Sequence, residues 1–383
     1  MARRHVTDVK PRQIEKRRMR WEHQHEPTPD GEEWVECGGQ AMWAAGFTDA
    51  GFPYGLTEEE FRTANARDDS EAGWARAKRI LQAIFHEREQ GATVDVGYVK
   101  KMGHGLSRDI FAAEITIVTG SKPDMSEVAV LLPRRGCDSD INERTRKEAR
   151  LLGDLATAGL PFRVPRIFGV YPDAGHLALV RGFERGVELD LRAGRQARVR
   201  PWETVATIAA AIHKLTTNTL PWLAPRFSTR RDHALAAVAE LDDLNEAEAA
   251  DARAWMQEHL PAATPSRLLH GDLLGQNILL GLSEPDAVLD WEYAQFGDPA
   301  YDLAIVTRGV RRPFQIEGGL DRLLDANAQA GGADVTRAHV HVHELSLAAR
   351  WYKDALNGDS RHAPAQQLQF LRSLLRRASM DAS

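Results

Sequence analysis

From about residue 96 the chain reads as short strand-like runs separated by turns, and after Gly186 it becomes mostly helical. The first runs are ATVDVGYVKKM, DIFAAEITIVTG and SEVAVLLP, joined by segments rich in Gly, Ser, Lys and Pro. Connections of hairpin length make neighbouring strands antiparallel, because a parallel pair needs a long crossover. A helix, NERTRKEARLLGDLATAG, and two further strand-like runs, PRIFGVY and HLALVRGF, precede the helical part. That part begins with PWETVATIAAAIHKLTT, whose Val205, Ile208, Ala209, Ile212 and Leu215 form an apolar stripe. Strands first and helices after is the order of an α+β fold and not of an alternating parallel sheet.

The pattern predicts three parts: a partly helical N-terminal extension over 1–95, a small β lobe over 96–184 and a larger helical lobe over 185–383. In the extension, Trp74, Ala77, Ile80, Leu81 and Ile84 recur at helical spacing and Gly91 offers a stop, so a helix is expected there, packed on the domain that follows.

Composition limits the partners. A content of 43% hydrophobic and 27% charged residues fits a soluble globular chain, and 383 residues leave room for two or three compact units. Cys37 and Cys137 belong to no CxxC or Cys/His ligand spacing, so a disulfide framework or zinc site is not expected and a reducing cytoplasm is the simpler setting. No apolar run reaches the roughly 18 residues that a membrane helix needs. The basic residues of the first 20 positions are followed by no apolar stretch, so no signal peptide is expected. A net charge of −6, with no basic groove-sized pattern, argues against a nucleic-acid partner.

Chemistry concentrates in residues 268–280, LLHGDLLGQNILL, where His270, Gly271, Asp272 and Asn277 interrupt an apolar stretch. A second apolar strand ends at Asp290, and a turn with Gly297, Asp298 and Pro299 follows it. Each strand thus delivers a carboxylate to a loop. Phosphoryl transfer from ATP needs a group to orient a nucleophilic hydroxyl and hard oxygen ligands to hold magnesium on the phosphates. Asp272 and Asn277 have the five-position spacing of a kinase catalytic base and metal-binding Asn, and Asp290 stands where a second metal ligand belongs. Each residue also has a plain reading: Asp272 as a turn residue, and Asp298 as the N-cap of a helix with Pro299 at its first position.

HGDLLGQN together with LDWEYAQFGDPAYDLA resembles the aminoglycoside phosphotransferase/choline kinase family of small-molecule kinases, over roughly 98–350. The resemblance implies a two-lobed protein-kinase-like fold, with ATP as co-substrate, Mg²⁺ as cofactor and a small-molecule hydroxyl acceptor. It implies that Asp272 is the catalytic base, that Asn277 and Asp290 are the magnesium ligands, that His270 is a structural member of the loop and that Asp302 braces it. It also puts a nucleotide-covering loop at GHGLSRDIFAAEI, with Gly103, Gly105 and Ser107 as phosphate-facing candidates. An adenine-contacting linker falls at LALVRGFERG, around Arg181 and Phe183.

One position departs from the family. Its third strand carries a Lys or Arg paired with a Glu on the next helix. Here Leu131 occupies that place while Glu148 remains as the partner. Arg134, Arg135 or Lys122 could supply the charge instead, and without any such cation the chain would read as a nucleotide-binding pseudokinase. A protein kinase is disfavoured, because Trp291 and Glu292 follow Asp290 and no Ala-Pro-Glu appears after them. For the acceptor, Asp242, Asp243, Glu246, Glu248 and Asp251 in a helix–turn–helix insertion could attract a cationic molecule such as an aminoglycoside or amino sugar, or form a solvated helix face. Glu292 and HVHVHELSLAARWYKDALNGD are further candidate walls, and the alternation of His339, His341 and His343 suits no metal site.

Overall fold

The computed structural model describes residues 34–37, 40–47, 53–57, 73–88, 92–104, 107–119, 122–134, 136–137, 140–173, 175–192, 199–358 and 363–381. They form two compact units that divide between Ala72 and Gly73. The first holds β1 (Trp34–Cys37), β2 (Gln40–Phe47) and β3 (Pro53–Thr57), an antiparallel sheet in that order with an irregularity between Ala44 and Gly46.

The second unit begins with α1 (Gly73–Arg88) and continues through β4 (Thr93–His104), β5 (Arg108–Thr119) and β6 (Lys122–Pro133). Next come α2 (Ile141–Leu155), β7 (Ile167–Asp173) and β8 (His176–Gly182). The five strands form one antiparallel sheet in the order β4-β5-β6-β8-β7. Side chains alternate between the faces of a strand, so the same strands build two different surfaces. Phe111, Ala113, Ile115, Val128, Val130, Leu132, Ala178 and Val180 line one face and are buried against Ala77, Ile80, Leu81, Ile84 and Phe85 of α1. Trp74, placed on that stripe by its spacing, is 55% exposed, so the buried face starts one turn later at Ala77. Ala129, Leu131 and Leu179 line the other face, with Ile110, Ile167, Phe183 and Ala149 of α2 packed against them.

The helical lobe is built from α3 (Pro201–Ile212), α4 (Arg230–Ala239), α5 (Ala247–Glu258), α6 (Ala300–Thr307), α7 (Gly319–Gln329), α8 (Arg337–Leu356) and α9 (Pro364–Asp381). All five stripe residues of the α3 region, Val205 to Leu215, are buried in one core with Leu268, Leu273, Ile278, Val288, Trp291 and Phe296. Burying such a side chain contributes on the order of 1.5–3 kcal/mol, so this core fixes the segments that carry His270 to Asp290. A second core joins α4 and α5 to α8 and α9 through Trp255, Met256, Leu345 and Leu371. Among the described residues no helix is long and apolar enough to cross a membrane.

Candidate active site

Two short ribbons frame the site. β10 (Arg267–Leu269) pairs with β13 (Gln295–Gly297), and β11 (Ile278–Leu280) pairs with β12 (Ala287–Val288) on one side and β9 (Val187–Glu188) on the other. Residues 270–277 connect β10 to β11, ending in the 3-10 turn Gly275–Asn277. Gly271 sits at φ +84°, and a Cβ there would lie 2.3 Å from the carbonyl oxygen of Tyr293. Only glycine fits both demands.

Hydrogen bonds hold that connection from below. The fully buried Asp302, in the first turn of α6, accepts from the backbone N–H of His270 and of Gly271, each at 2.9 Å, and lies 3.0 Å from His213 Nε2. Burial opposes ionisation of Asp302, but these partners lower its carboxyl below the ordinary value. His270 Nε2 donates to the Leu289 carbonyl at 2.8 Å, and its Nδ1 accepts from the Asp272 N–H at 3.3 Å. That is one donor and one acceptor, the pattern of a neutral imidazole, and burial lowers the His270 pKa in keeping with it. Asp272 therefore projects from a fixed backbone. Burial raises its carboxyl, against the pull of His270 and of a hydrogen bond from Asn277.

The β11/β12 ladder brings the two expected metal ligands together. Ile278 pairs with Val288, and the Leu289 N–H donates to the Asn277 carbonyl at 2.8 Å, so Asn277 and Asp290 sit at the same end of the ribbon. Asn277 Nδ2 donates to the Asp272 carboxylate at 3.0 Å and to its carbonyl at 2.9 Å. With its nitrogen committed, Asn277 has its side-chain oxygen to offer. Asp290 adopts φ +65°, a conformation that L-residues avoid and that commonly marks a functional position. Burial, followed by repulsion from Glu148, Glu292 and Asp272, pushes its carboxyl up to about 7. A hard divalent cation relieves such repulsion, and an Asn oxygen with an Asp carboxylate is a suitable partial donor set for it. Among the described residues no three His, Cys, Asp or Glu side chains gather as a metal site.

On the sheet side, Leu131 is buried within the apolar face and Arg134 turns to Asp109, its Nε donating at 3.1 Å. Arg135 and the Lys122 side chain lie outside the described residues, as does Gly105, while Gly103 pairs with Ile110 at the end of β4. The residue against Glu148 is Arg108. Its Nη1 donates to Glu148 Oε2 at 2.5 Å and its Nη2 to Thr145 at 3.1 Å, with Glu292 3.6 Å away. Burial disfavours the Arg108 charge, but Glu148 raises its pKa above the ordinary value. Ser107 donates to Glu292 at 3.3 Å, whose carboxyl is raised by burial. Arg181 is buried on β8 beside Ala129, and Phe183 packs on the apolar face with its N–H donating to the Glu127 carbonyl.

The profile of the phosphotransferase enzyme family (APH) matches residues 132–372. The chain belongs to this phosphotransferase family. Solved structures agree on the fold: a macrolide 2'-phosphotransferase from Brachybacterium faecium is 21% identical, with a TM-score of 0.53 over 78% of this chain and 98% of that one. A GDP complex of an aminoglycoside 2'-phosphotransferase-IIIa mutant is 13% identical, with a TM-score of 0.54 over 80% and 100%. A streptomycin–ATP–APH(2'')-IIa ternary complex is 12% identical, with a TM-score of 0.52 over 76% and 97%. No curated protein matches the sequence. The chain is thus a small-molecule phosphotransferase with the α+β, two-lobed kinase-like fold that its motifs predicted.

Other expected positions of the phosphotransferase have structural partners. Asp298 does accept from the Ala300 N–H at 3.3 Å, yet Pro299 occupies the cap position itself. The main contacts of Asp298 are Arg230 at 2.7 Å and His343 at 3.0 Å, which hold it well below the usual carboxylate range despite burial. His341 meets Glu344 and Asp381, and His339 caps α8. In the insertion, Asp242 pairs with Arg253, Glu246 accepts from Tyr352 and Glu248 pairs with Arg372. Motif reading missed Arg108, Thr145 and His213. For Arg108 a signal existed: it is a basic residue two positions before Ile110, so strand alternation puts it on the face that Ile110 shares with Leu131.

Proposed function

We propose that the chain is an ATP-dependent kinase that transfers the γ-phosphoryl group to a hydroxyl of a small polar molecule. The observation that carries this reading is Asp272 hydrogen-bonded to Asn277, with Asp290 at the same end of the β11/β12 ribbon. Asn277 and Asp290 are the residues that would hold Mg²⁺, which when bound neutralises charge on the phosphates and orients them. Asp272, fixed by Asp302 and His270, takes the proton of the acceptor hydroxyl. The acceptor oxygen bonds to the γ-phosphorus, the bond from that phosphorus to the bridging oxygen breaks and ADP departs. The transition state is loose, so positioning and charge neutralisation supply most of the rate.

A cytoplasmic setting and a cationic acceptor such as an aminoglycoside or amino sugar fit the reading, and the names of the similar structures support an antibiotic-like acceptor. The pseudokinase reading rested on Leu131, and a buried Arg108 against Glu148 removes that motive. Calorimetric titration of ATP with and without Mg²⁺, beside Asp290→Ala, tests the proposal. Magnesium-dependent binding that the substitution abolishes is expected, and wild-type protein that binds no ATP in either condition overturns it.

A further inference from the structure

The cleft face of the sheet holds more buried positive charge than its strand positions suggest. Leu131 is directly opposite Ile110 on one side and Leu179 on the other, so its own place offers no cation. Arg108 and Arg181 lie on the strands flanking β6, opposite Pro133 and Ala129, and so bracket Leu131 diagonally. Both are buried, the Arg108 side chain at 5% exposure.

Their hydrogen bonding is incomplete. Arg108 Nε, Arg181 Nε and Arg181 Nη1 are buried donors without a partner, and Glu148 Oε1 is an acceptor without one. A buried donor without a partner is unfavourable, so three of them on the two strands that flank β6 mark a space built for acceptor atoms. Each guanidinium is also within electrostatic reach of Asp290. Both guanidinium groups therefore lie near the ribbon end that carries Asn277 and Asp290, where phosphates must lie if the proposed kinase reading holds.

We propose that Arg108, on the strand next to Leu131, binds the phosphate chain of the nucleotide and is oriented for it by Glu148 and Thr145, with Arg181 completing the site on the opposite flank. This rests on the kinase reading. Arg is suited to the task because its planar guanidinium presents five donors and stays charged when buried. Two of them fix the side chain to α2, which leaves Nε and the rest of the fork for phosphate oxygens.

The test compares affinity for MgADP with affinity for adenosine, by calorimetry, in wild type, Arg108→Met, Arg108→Lys, and Arg108→Ala combined with Leu131→Lys. Asp290→Ala serves as the control and a melting curve is recorded for each variant. Arg108→Met is expected to weaken MgADP thirtyfold or more while adenosine stays within about twofold, because the base does not meet the guanidinium. Arg108→Lys should restore most of the loss. The double variant, which moves the charge to the neighbouring strand, should recover at least part of it. Wild-type MgADP affinity in Arg108→Met, with Asp290→Ala defective, overturns the assignment but leaves the kinase reading intact. Wild type that binds neither MgADP nor adenosine removes both. Should Arg108→Met not fold, the double variant decides: folded protein with no MgADP affinity overturns the proposal, and recovered affinity supports it.

Discussion

The catalytic connection and strand β6 solve their problems differently. Between β10 and β11 the contacts that place the site residues are short-range or reach one braced helix: Gly271 for a turn, Asp302 beneath it, Asn277 five residues from Asp272. Around Leu131 the charge comes from β5 and β8, about 20 residues before it and 50 after, and converges only when the sheet forms. A backbone-dictated site ties each function to a sequence position. A sheet face asks only that some neighbouring strand present the right group, so the position can move while the chemistry stays.

The largest expected effect lies on the fixed side of this contrast. Asp272→Ala should lower phosphoryl transfer by about 10²–10⁴-fold while leaving MgATP affinity within about twofold of wild type. Single-turnover rates beside a binding titration measure both. Transfer that survives at the wild-type rate would show that another group takes the proton.

Asp290 joins the two regions, since Glu148 of the small lobe and Asp272 of the loop both act on it. Its carboxyl titrates near 7 in the folded, metal-free protein, against about 4 when unfolded. Below pH 4 both states are protonated and the group is neutral to stability. Between about 4 and 7 only the unfolded state ionises, so stability falls as pH rises, by about 4 kcal/mol at most, and levels off above 7. Asp290→Asn should flatten that stretch of the curve in urea titrations from pH 5 to 8. An unchanged slope would mean that the carboxylate is solvated in the absence of metal.

Leu131→Lys tests the movable side. The family pattern asks for a cation there, but in this chain it would be buried beside Arg108 and Arg181, adding a third like charge to an apolar face. A loss of about 2–3 kcal/mol is expected, with most of it absent when Arg108 is replaced by Ala. Equal losses in both backgrounds would separate Leu131 from Arg108 and weaken the idea of a relocated cation.

How much could be read beforehand follows the same line. The strand runs, the α2 and α3 helices and the family were legible, because hydrophobic period and motif spacing are short-range. Trp74 shares the helical spacing of the buried stripe yet is exposed, because spacing alone cannot say where a helix leaves its sheet. Asp298 accepts from the Ala300 N–H as its sequence neighbours suggest, but Arg230 and His343, 68 and 45 residues away, set its ionisation. Arg108 was passed over because its partner Glu148 is 40 positions off.

The smallest expected effect concerns a cluster that linear reading made conspicuous. Of the acidic residues in 242–251, Asp242, Glu246 and Glu248 are each engaged by Arg253, Tyr352 or Arg372. Exposed ion pairs contribute about 0–1 kcal/mol, so neutralising Asp242 and Asp243 together should change the unfolding free energy by less than about 0.5 kcal/mol. Substrate use carries the sharper consequence. If these carboxylates only solvate α4 and α5, the acceptor KM is unchanged and independent of salt. A severalfold rise in KM that appears at low ionic strength and fades at high salt would instead make the cluster a long-range attractor for a cationic acceptor. That outcome would extend the contrast: fixed geometry at the catalytic loop, a relocated cation beneath the phosphates, and selection of the acceptor by a surface that touches neither.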